Sequence, residues 1–169
     1  MTGCRMDFYH LRTLPLEEAL PRLLLKATQG GRRAVVRAGS LERVEALDGL
    51  LWTFDPASWL PHGAARDGQA ARQPIWLTCD EDVPNGACFL FLLDGVWPRT
   101  FEGFERSLVL FDGRDDDAVA RARSQWREAR DLGLALHYWQ QTPTGGWEEK
   151  AHSPGKQASP PKDFTPEGS

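Results

Sequence analysis

Apolar residues along this chain fall into two textures, unbroken runs and stripes that return every three or four positions. Asp7–Leu11, Ala34–Arg37, Ile75–Thr78, Cys88–Leu93, Ser107–Phe111 and Leu134–Gln140 are short apolar segments of the length of one buried strand. Between them lie stripes with helical period. Leu16, Ala19, Leu20, Leu23, Leu24 and Ala27 form one, and Leu41, Val44, Leu47 and Leu51 a second. Val119, Ala122, Trp126 and Ala129 form a third. Strands that are nearly all apolar, separated by amphipathic helices, predict an α/β domain. The expected architecture is three-layered: a largely parallel central sheet with helices on both faces, Rossmann-like but without a phosphate-binding loop.

Residues at the ends of these segments agree with their type. Pro15 suits the opening turn of the first helix, and Gly30-Gly31 ends it. Pro21 falls inside that helix and is expected to weaken or bend it, because proline removes a backbone donor. Ser40 is the expected N-cap of the second helix. Asp115, Asp116 and Asp117 open the third, which runs to about Leu132 and stops at Gly133; acid first and arginine later complement the helix dipole. Asn85-Gly86 reads as a turn, and Phe101 and Phe104 as part of a short helical turn. The stretch from Trp52 to His62 is rich in aromatic residues and proline, which predicts tryptophans on or beside a loop. Residues 63–73 read as a polar connection.

Composition narrows the class. The 169 residues suffice for one domain, here expected over residues 1–150, with 41% hydrophobic and 26% charged positions. Residues 151–169, rich in Ser, Pro, Gly and Lys, have little to bury and are expected to be a disordered tail. No apolar run approaches a bilayer span, and Met1–Asp7 has no signal-peptide core, so a cytoplasmic address with no membrane partner is expected. Cys4, Cys79 and Cys88, and the four histidines, lack the spacing of a disulfide framework or a metal site; no metal is expected. A net charge of −4 argues against broad nucleic-acid binding, while seven tryptophans argue for a partner surface.

Candidate chemistry is sparse. A nucleotide-binding α/β domain needs glycines after its first strand so that the backbone can approach a pyrophosphate. That position reads Leu11-Arg12-Thr13-Leu14-Pro15, so no nucleotide cofactor is expected. There is no nucleophile elbow, and the carboxylates at 80–82 and 115–117 read as a turn and a helix start. No catalytic constellation emerges. The third helix is more informative. Arg123, Arg127 and Arg130 recur at four and three residues and share one face. Trp126 is expected at the border between that face and the buried stripe. A cationic row beside an aromatic edge suits an acidic peptide, since a guanidinium holds a carboxylate through two parallel hydrogen bonds.

Several motifs together resemble one family. They are Phe8-Tyr9-His10-Leu11, Leu16-Glu17-Glu18-Ala19-Leu20, Leu47-Asp48-Gly49-Leu50-Leu51-Trp52, Phe54-Asp55-Pro56 and Ser58-Trp59-Leu60-Pro61-His62-Gly63. Pro84-Asn85-Gly86-Ala87, Phe104-Glu105-Arg106, Phe111-Asp112, the arginine-rich helix and Tyr138-Trp139 complete the pattern. It resembles the chi subunit family of the bacterial DNA polymerase III holoenzyme, over roughly residues 6–150. The resemblance implies a non-catalytic adaptor of the clamp-loader assembly without cofactors. It implies two partners: the acidic C-terminal tail of single-stranded DNA-binding protein, which ends in phenylalanine, and the psi subunit. Carried over by position, Arg123, Trp126, Arg127 and Trp52 would form the tail site, and Trp59 would centre the psi interface. Ala129 departs from the tyrosine common in relatives. The alternative reading is a protein that binds single-stranded nucleic acid directly by stacking bases on its tryptophans.

Overall fold

In the computed structural model of the chain, residues 4–54, 61–64, 67 and 69–154 are described. Among them, eight strands form one sheet: β1 (Arg5–Leu11), β2 (Ala34–Arg37), β3 (Gly63–Ala64), β4 (Ile75–Thr78), β5 (Phe89–Leu92), β6 (Arg106–Asp112), β7 (Ala135–Gln141) and β8 (Trp147–Ser153). Three α-helices accompany them, α1 (Leu16–Thr28), α2 (Leu41–Thr53) and α3 (Asp116–Asp131). Strand order is β3-β4-β2-β5-β6-β1-β7-β8, and every neighbouring pair is parallel except β7 with β8. The expected α/β three-layer architecture is what the chain adopts.

The order of the strands decides the faces. From β1 through α1 to β2, and from β2 through α2 to β3, the chain steps toward one edge of the sheet; from β6 through α3 to β7 it steps toward the other. Right-handed crossovers taken in opposite directions put their helices on opposite faces. The core divides accordingly. Ala19, Leu20, Leu24, Val44, Leu47 and Leu51 pack with Tyr9, Val36 and Leu110, while Val119, Ala122, Trp126 and Ala129 pack with Phe8, Val35 and Val109. Successive strand residues alternate between the two cores.

Local signals account for the helices. Ser40 Oγ accepts from the Arg43 amide at 3.1 Å, the cap expected for α2. Asp115 does the same for α3, accepting from the amides of Asp117 (3.0 Å) and Ala118 (3.3 Å). Gly133, at φ +81°, ends it with the Leu134 amide reaching back to the Ala129 carbonyl at 3.2 Å. Pro21 does not interrupt α1; the carbonyl it leaves without a donor belongs to Glu17, on the exposed first turn. Phe101 and Phe104 lie in a turn rather than a helix. Gly86 makes the expected turn at φ +65°, but β4 and β5 flank β2, so no hairpin forms. Neither β3 nor β8 was expected, and β8 runs through Ala151–Ser153, past the boundary drawn at residue 150.

Candidate partner-binding site

The exit from β1, where an α/β domain would hold phosphate, is filled by the chain itself. Backbone amides of Arg12, Thr13 and Leu14 all donate to Gln141 Oε1, at 3.0, 2.8 and 2.9 Å. Three convergent N–H groups make an anion-binding concavity; here a buried amide oxygen from the end of β7 occupies it. The N-terminus of α3 is likewise taken by Asp115. Between these two lies a crevice of about 300 Å³ at the carboxyl ends of the strands, and two of its arginines are paired within it. Arg43 meets Glu17 and Asp94, each at 3.4 Å, and Arg114 meets Asp112 at 3.3 Å. Of the other carboxylate cluster, Asp82 accepts from Trp76 Nε1 (2.9 Å) and Thr78 Oγ1 (2.6 Å), a structural use.

On α3, two flanks border the buried stripe. One faces the β5–β6 connection: Gln125 Nε2 donates to the Gly95 carbonyl at 3.2 Å, and Trp97 Nε1 donates to Glu128 at 2.6 Å. A helical turn of 3.6 residues puts Arg123, Arg127 and Arg130 on the other flank, within one narrow sector. Arg127 is exposed, while Arg123 and Arg130 are half-buried, Arg130 meeting Asp131 at 3.3 Å. The cationic row read from the sequence is therefore present as a row.

Trp126 differs from the expectation. It is 1% exposed, its ring tilted against Phe8 at 5.4 Å, in the centre of its core. The inward direction of its stripe holds, but the border position does not: the indole is sealed and presents no surface to an incoming chain. Trp52 also departs. It is 59% exposed, at the last turn of α2, with its ring 4.7 Å from His62. Because α2 and α3 lie on opposite faces, the sheet separates Trp52 from the arginine row. One pocket containing all four expected residues is not formed. Trp59 lies outside the described residues, as does the segment 155–169.

A further anchor escaped the sequence reading. Asp7 is wholly buried, and its carboxylate accepts from Arg106 Nε (2.5 Å), Arg5 Nη2 (3.0 Å) and Trp139 Nε1 (2.8 Å). A lone acid in a strand gives no sign of three donors arriving from three strands. Among the described residues there is no cluster of metal-ligating side chains, and no helix is long and apolar enough to cross a membrane.

Residues 3–137 match the family model described as DNA polymerase III chi subunit, HolC. The chain belongs to the chi subunit family of DNA polymerase III. A curated relative, the probable DNA polymerase III subunit chi of Rickettsia prowazekii (strain Madrid E), is 29% identical over 89 residues, 53% of this chain. That alignment spans about half, 54%, of the relative's own length. The match to the chi model takes in everything from β1 to the first three residues of β7, including all of α3. It ends before Trp139, Gln141 and β8.

Proposed function

We propose that this chain is a non-catalytic accessory subunit of the replicative polymerase assembly, acting in the cytoplasm. Its arginine row on α3 captures the acidic C-terminal tail of single-stranded DNA-binding protein. The observation that carries this reading is the row itself, Arg123, Arg127 and Arg130 on one flank of a doubly capped helix, in a member of the chi family. A chain end and its neighbouring carboxylates need only a few fixed cations, so the net charge of −4 is no obstacle. Several tails on one tetramer raise a modest single-site affinity by effective concentration. Trp126 serves this site from beneath, holding α3 against the sheet.

Trp52 belongs to a second surface. With Leu41, 60% exposed, it gives α2 two large apolar side chains in solvent, and in sequence it adjoins the segment containing Trp59. On this reading the α2 face is the one offered to the psi subunit.

The test is titration of a labelled acidic tail peptide, with and without its terminal phenylalanine. Arg127→Ala and Arg123→Ala are each expected to weaken binding by about 1.5–3 kcal/mol, the scale of a hydrogen bond to a charged group. Unchanged affinity in both variants removes the α3 row from the site.

A further inference from the structure

The face of β7 turned away from α3 is incompletely covered. Its residues alternate between half-buried Ala135, His137 and Trp139 and buried Leu136, Tyr138 and Gln140, and the half-buried set lies on the α1 side. There, between the last turns of α1 and the sheet, runs a groove of about 340 Å³. Its aromatic floor comes from four strands: Phe89, Tyr9, Trp139 and Trp147. Tyr9 and Trp139 are nearly parallel, at 11° with centroids 6.3 Å apart, and Trp147 meets Tyr9 edge-on at 4.8 Å. Both indoles are half-buried, so each keeps an open surface.

The rim is cationic. Lys26 and Arg106 line the groove and, among the described residues, no carboxylate does. Asp7, beneath it, already holds two arginines, and Glu149, across from Trp139 on β8, meets His137, so the neighbourhood carries Arg5, Lys26 and Arg106 against two acids. On a chain of net charge −4 this is a local reversal of sign. Two directional polar groups of the floor are already engaged: Tyr9 Oη accepts from Arg106 Nη2 at 2.9 Å, and Trp139 Nε1 donates to Asp7. What the groove chiefly offers a ligand is flat aromatic surface and positive charge. Flat faces joined by regularly spaced negative charges are the chemistry of single-stranded nucleic acid, and stacking of this kind tolerates any base. A peptide reader would keep hydrogen-bonding groups free for the backbone, and this groove has committed the ones just named.

We propose that the Tyr9–Trp139–Trp147 groove is a stacking site for single-stranded nucleic acid, without base preference, on the face opposite the arginine row. Trp139 and Trp147 lie beyond the residues matched by the chi model, while Tyr9, Lys26, Phe89 and Arg106 lie within them.

The probe is a short fluorescent oligothymidylate titrated at low salt into the full chain. Trp147→Ala, on the edge strand, is expected to weaken binding at least about fivefold. Lys26→Glu, on the exposed side of α1, is expected to weaken it and to lower the salt slope by about one. Trp52→Ala and Arg127→Ala are expected to leave it unchanged. Wild-type affinity in both Trp147→Ala and Lys26→Glu overturns the proposal, as does no binding at low salt. Equal competition by duplex DNA of the same length, or displacement by an acidic peptide, also overturns it. Trp139→Ala is not relied upon, because it strips a donor from the buried Asp7.

Discussion

Tyr9 concentrates several environments on one side chain: it is 5% exposed, its hydroxyl accepts from Arg106, and its ring meets two tryptophans. Its phenol is pushed up to about 12, first by burial, which Arg106 opposes and the nearby Asp7 reinforces. An acid whose folded pKa lies above its unfolded value of 10.0 keeps its proton in the native state after the unfolded chain has lost it. The native state then binds more protons, so stability is intact below pH 10 and falls as pH rises toward 12. The loss expected from this group is on the order of 2 kcal/mol. Urea midpoints compared at about pH 9 and about pH 11.5 measure it. Tyr9→Phe, which cannot ionise, is expected to show a visibly smaller fall than the wild type. An equal fall in both means that the phenol titrates as it would in water.

At the scale of elements, α3 was the most legible part of the chain and its tryptophan the least. The acidic start, the glycine stop and the stripe Val119, Ala122, Trp126, Ala129 are local signals; hydrogen bonds satisfy the first two and packing on the sheet the third. How far an indole reaches inward depends on what stands across from it, here Phe8 on β1, and no helical period contains that. The same limit hid β8. Trp147-Glu148-Glu149-Lys150-Ala151-His152-Ser153 faces water along most of its length, so it has no apolar run to announce it, and its pairing comes from β7 alone. Because Trp126 is core, its removal is a stability experiment before it is a binding one. Trp126→Ala is expected to cost about 3–5 kcal/mol in denaturant unfolding. Trp126→Phe, which keeps the contact with Phe8, is expected to retain tail-peptide affinity within about twofold, the tolerance for a change that leaves the row in place. A large loss of affinity in a well-folded Trp126→Phe protein implies that the indole meets the ligand after all.

For the molecule as a whole, strand order was the missing quantity. A single sequence places strands and helices in a line, but the side of the sheet on which each helix lands follows from whether the chain next steps left or right. With β1 returning to β2 across β6 and β5, and β6 advancing past β1 to β7, α2 and α3 part company. Residues that looked like one site, Trp52 and the arginines, thereby became two. This makes energetic independence the expected outcome, since groups separated by a sheet and sharing no partner act additively to within about 0.3–0.5 kcal/mol. In a double-mutant cycle of Arg127→Ala and Trp52→Ala, read by calorimetric titration of the tail peptide, Trp52→Ala alone is expected to change affinity by less than about twofold. The double variant should then match Arg127→Ala. On the proposed function, the same independence would let a partner on α2 and a tail on α3 be held together, as an adaptor between two assemblies requires. A coupling of more than about 1 kcal/mol is outside that additive range; it means that the two faces communicate through the sheet, or that the peptide reaches around it, and the two-surface account fails.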